Sequence, residues 1–142
     1  MNKPRYRSEA ELAEILRKFE DATIGREDWK HAEHMVVALF YLSDNDFETA
    51  KDKMRSDILN LLVRGFDVDM TKEMPYHETI TVFWMKLVSA YLARTNGGSL
   101  LDKAKELAAL YDKDYPLTFY SRELLFSDRA RREFVEPDLQ QQ

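Results

Sequence analysis

The chain has 142 residues, with 21 Lys and Arg against 26 Asp and Glu, a formal net charge of −5, and no cysteine. Hydrophobic residues make up 44% and charged residues 33%, a profile that suits one folded domain and excludes a disordered chain. The acidic balance argues against nucleic acid and anionic membranes as partners, and the lack of cysteine excludes disulfides, thiolate metal sites and a cysteine nucleophile.

The N-terminus leads into a charged helix without an apolar targeting core. The longest apolar run, Met35 to Leu42, is far too short to span a bilayer. A cytoplasmic protein with no membrane partner is the expectation.

Helices are expected in the following order. The first starts at Ser8, which forms an S-x-x-E capping box with Glu11, and Leu12, Ile15, Leu16 and Phe19 mark its inner face. Gly25 closes it. A second helix runs from near Asp28 to Leu42, and the turn Ser43 to Asp46 supplies the next N-cap. The third, from about Asp46 to Arg64, carries Phe47, Ala50, Met54, Ile58, Leu61 and Leu62 at helical spacing. After a loop from Gly65 to Met74, Pro75 suits the first position of a fourth helix reaching Arg94. The stretch Thr79 to Trp84 has high β propensity, but the length of the unbroken segment decides for helix. Ser99 and Asp102 begin a fifth helix, with Leu100, Leu101, Ala104, Leu107, Ala108 and Tyr111 inward. Short helical turns are expected over Ser121–Phe126 and Ser127–Phe134. The fold class is therefore an all-α bundle of four to five helices with a wrapped C-terminal tail, a single domain over 1–142 with 1–7 and 137–142 frayed.

All three histidines fall in two short motifs, W-x-H-x-x-H at Trp29–His34 and Y-H-E-T at Tyr76–Thr79. On a helix, positions i and i+3 project from one side, so His31 and His34 can converge on one ion. The second helix is apolar nearly all round, with His31, His34, Met35, Ala38, Tyr41 and Leu42 on one side and Trp29, Ala32, Val36, Leu39 and Phe40 opposite. Such a helix sits inside a bundle, where a buried imidazole needs partners for its ring nitrogens. His77, in the first turn of the fourth helix, is held neutral by the helix dipole and is expected to point inward. His31, His34 and His77 are thus the candidate ligands of a divalent transition metal with an open coordination position. Zinc, iron, nickel and copper are not distinguished by these donors.

Glu27, Glu78 and Tyr41 are the candidate catalytic groups around that ion, with Glu20 able to reach across from the first helix. Trp29, Phe40, Trp84 and Tyr91 read as core. No phosphate loop, nucleophile elbow or dinucleotide fingerprint is present.

The combination W-x-H-x-x-H, Y-H-E-T-I-T and the tail from Tyr120-Ser121-Arg122-Glu123 to Val135-Glu136-Pro137-Asp138-Leu139 resembles a family of small bacterial proteins of unknown function. A looser likeness is to the DinB-like bundles, in which three histidines from different helices hold a divalent metal. That likeness implies His31, His34 and His77 as ligands. It differs in spacing, since those bundles carry H-x-x-x-H late in the chain.

The expected function is a small metalloprotein, an enzyme of hydrolytic or transferase type acting on a small-molecule substrate, with a homodimer allowed. The alternative is a non-catalytic helical interaction module with structural histidines. Metal-free acid–base catalysis by His77 with Glu78 or Tyr76 is a third reading.

Overall fold

The structure, a computed structural model, describes residues 6–139. Among them it is helical without strands, in keeping with the all-α expectation. The helices are α1 (Glu9–Glu20), α2 (His31–Asp44), α3 (Phe47–Asn60), α4 (Glu78–Ala93), α5 (Leu100–Leu110), α6 (Arg122–Leu125) and α7 (Asp128–Arg132). A π-turn, Leu61–Gly65, continues α3, and 3-10 turns lie at Arg26–Asp28 and Tyr115–Thr118. No helix among the described residues is long and apolar enough to cross a membrane.

The central rod is α2, which packs against α1, α3, α4 and α5. Four neighbours require four apolar faces, which is why Met35 to Leu39 are buried without a polar break. The helix starts at His31, three residues later than expected, so Trp29 precedes it and is free to turn back. Its ring stacks on Phe19 of α1 at 4.5 Å.

The expected capping box at Ser8 and Glu11 is formed. The first helix does not extend to Gly25, however; it stops at Glu20, and Ala22 takes a left-handed conformation with φ of 61°. There the Thr23 and Ile24 amides donate to the Lys18 carbonyl. A Cβ in this region costs about 1 kcal/mol. Ala22→Gly is accordingly expected to raise the free energy of unfolding by up to about 1 kcal/mol in urea melts.

Gly65 ends the π-turn against that same corner. A Cβ on it would lie 2.8 Å from the Ala22 carbonyl oxygen and 2.8 Å from Leu61 Cδ1. Glycine is required for this close approach of two backbones.

The fourth helix begins at Glu78, not at Pro75. Its N-cap is His77, whose Nδ1 accepts from the Ile80 amide at 3.2 Å. An imidazole lone pair here does what an aspartate or serine oxygen does at other helix starts. Ser99 caps α5 through the Asp102 amide.

The tail wraps as expected. It forms a second small core of Tyr120, Leu125, Ala130 and Val135, closed by Ile80 and Phe83 of α4. Thr79 Oγ1 donates to the Glu133 carbonyl and accepts from the Val135 amide, and the Tyr120 hydroxyl donates to the Val135 carbonyl at 2.6 Å. Of the ends expected to fray, 1–5 and 140–142 lie outside the described residues. Within them, Ser121 bonds Asp138 and the Leu139 amide donates to the Phe119 carbonyl.

Candidate functional site

A half-enclosed cleft of about 340 Å³ opens between α2, α3 and α4. Its walls are Ala38 from α2, Met54 and Ile58 from α3, and Ile80 and Met85 from α4, with Leu62 entering from the π-turn. The segment Pro75–His77 borders it, and both tryptophans of the sequence, Trp29 and Trp84, line it. The polar side chains at the wall are His34, Tyr76, His77 and Thr81.

His34 is the residue that stands apart. Its Nδ1–H donates to the Lys30 carbonyl at 2.9 Å, the carbonyl one turn back along the chain. Its ring lies against Trp29 with centroids 4.1 Å apart. The donated proton fixes the tautomer and leaves Nε2 as a bare acceptor. Among the described residues no fully buried side-chain nitrogen or oxygen lacks a partner, and Nε2 takes no hydrogen bond within the protein. That nitrogen is therefore not sealed in protein and remains open to the cleft. Burial pushes the imidazole pKa down to about 4, against a weaker opposing effect of the Lys30 bond, so the ring is neutral at pH 7.

The other two histidines are engaged elsewhere. His31 Nε2–H donates to the Tyr111 carbonyl at 3.0 Å, tying the start of α2 to the end of α5. Its ring packs on Trp84 at 4.5 Å, and it does not line the cleft. His77 uses both nitrogens, Nδ1 as the α4 cap and Nε2–H as donor to the Leu125 carbonyl at 2.6 Å. Burial lowers the pKa of each ring.

The expected metal set does not fit these positions. Among the described residues no group of three or more His, Asp or Glu side chains is placed to hold a metal ion. A ligand needs a free lone pair, and His77 has none while it caps α4.

The candidate catalytic groups separate as well. Glu27 lies exposed in the 3-10 turn Arg26–Asp28, on a surface groove with Lys18 and Lys30. Glu78 is buried and grips Arg55 of α3 through both oxygens, at 2.9 and 2.5 Å, and accepts from the Tyr76 hydroxyl at 2.6 Å. Burial works to raise its pKa, but the bonds from Arg55 and Tyr76 prevail and hold it below the usual carboxylate value. A carboxylate so occupied braces the α3–α4 pair and is no general base. The Tyr41 hydroxyl faces Glu20 at 3.0 Å and Asp57 at 2.5 Å, joining α2 to α1 and α3 away from the cleft. Burial and these two acids push its pKa up, so it stays a phenol.

Comparison with protein-family models, with curated proteins and with solved structures finds no match. The geometry alone carries the reading. Spacing points to His34 but not to Arg55, Thr81 or the π-turn; Trp84 belongs to the core as expected and Trp29 packs against it, and both also line the cleft. The signal available for Trp29 is its place just ahead of the histidine pair, before the helix has begun.

Proposed function

We propose that this chain is a binding protein for a small, largely apolar molecule, which it holds in the cleft between α2, α3 and α4. One observation carries the reading: a neutral imidazole with an unengaged Nε2 at the wall of an otherwise apolar cleft. Binding sites for small molecules have this composition, apolar walls with a few placed polar groups, and the volume is at the small end of their range. The π-turn adds support, since such turns recur at functional sites and this one brings Leu62 to the wall.

The two cleft tryptophans make occupancy measurable. Titration with 4-methylphenol and with 4-methylanisole is expected to change intrinsic tryptophan emission saturably. Ala38→Phe places a benzyl group in the cleft, and it is expected to abolish the response while the far-ultraviolet dichroism stays that of a folded helical protein. A saturable response that survives Ala38→Phe, or none from the parent chain, overturns the reading.

A further inference from the structure

The bonding state of the cleft wall also selects its ligand. Four side-chain protons near the cleft are engaged inside the protein: Nδ1–H of His34 on the Lys30 carbonyl, Nε2–H of His77 on the Leu125 carbonyl, the Thr81 hydroxyl on the His77 carbonyl, and the Tyr76 hydroxyl on Glu78. What these groups still offer are lone pairs, and the one with no other partner is Nε2 of His34. No Lys, Arg, Asp or Glu side chain lines the cleft. An ionised ligand would lose its hydration with no counter-charge to meet it. The indole rings of Trp29 and Trp84 and the thioether side chains of Met54 and Met85 at the wall favour an aromatic body.

Building on the binding reading above, we infer that the cleft takes a neutral aromatic alcohol of the phenol class, its hydroxyl donating to His34 Nε2. A hydroxyl fits better than a carbonyl or carboxylate. It brings the proton that Nε2 lacks.

Isothermal titration of the full chain with three probes that share a 4-methylphenyl ring tests this. 4-Methylphenol is expected to bind roughly tenfold tighter than 4-methylanisole, which has the same ring but no proton to donate. 4-Methylbenzoate is expected not to bind. In His34→Leu the preference for the phenol is expected to vanish while the ether still binds. If the ether or the benzoate matches the phenol in the parent chain, the phenol assignment falls and the binding site stands, provided that binding is lost in Ala38→Phe. If no probe binds, or Ala38→Phe leaves binding intact, the site itself falls. The parent-chain comparison stands even if His34→Leu does not fold.

Discussion

Replacing His77 with alanine is expected to destabilise the protein by roughly 2–4 kcal/mol. One part is the cap of α4, worth about 1 kcal/mol, because the Ile80 amide loses its acceptor. The larger part is the Leu125 carbonyl, which loses its donor beside the small core that holds the tail. A buried acceptor left without a partner costs about 1–3 kcal/mol. His77→Asn separates the two. Asparagine is a good cap but is too short to reach Leu125, so it is expected to recover only about 1 kcal/mol of the loss. Urea melts give the totals, and hydrogen exchange locates them. Amide protection over 120–135 is expected to drop in both variants, while that of α2 and α3 follows global stability. Unchanged protection over 120–135 in His77→Ala would show that this bond does not fasten the tail.

Mild acid is expected to weaken the fold through its histidines. The unfolded chain binds a proton at His34 with a pKa near the ordinary 6.5, whereas the folded ring holds off until about 4. Between those values the unfolded state carries more bound protons, so stability rises with pH and is lost as pH falls. The full contribution is present above pH 6.5, and by pH 4.5 roughly 2–3 kcal/mol of it is gone. His31 and His77, also lowered by burial, add in the same direction. Glu78, held below its usual value, extends the loss at lower pH, as protonation breaks its grip on Arg55. Urea melts at pH 7 and pH 4.5 measure the difference, and His34→Leu is expected to remove most of the His34 share. A stability curve flat from pH 7 to 4.5 would contradict a neutral, half-buried His34.

The sequence was informative wherever the physics is local. Ser8, Asp46 and Ser99 each cap the helix that follows, and the third helix with its π extension ends within a residue of the expected Arg64. The apolar circumference of α2 announced a central rod. The histidine site was harder to read because periodicity gives the face of a side chain and not the bond it makes. His34 does sit on the wall of a cavity. His31 and His77 are claimed by carbonyls 80 and 48 residues away in sequence, and no spacing rule encodes such pairings. The same holds for Glu78, whose neighbour Arg55 lies 23 residues earlier on another helix. Pro75 was misleading for a related reason: proline fits a helix start, but the His77 ring cap sets the first turn at Glu78.

The π-turn bears on how this protein's ligand preference can drift. Its wide loop, Phe66 amide to Leu61 carbonyl, is that of a helix carrying one extra residue. Deleting a single codon between Asn60 and Gly65 would return the rod to regular winding. A deletion ahead of Leu62 would also swing it by about 100° and replace it at the wall with a neighbour. Gene-level insertions and deletions here can therefore remould the chamber in one step, at the expense of the close Gly65 contact with the Ala22 carbonyl.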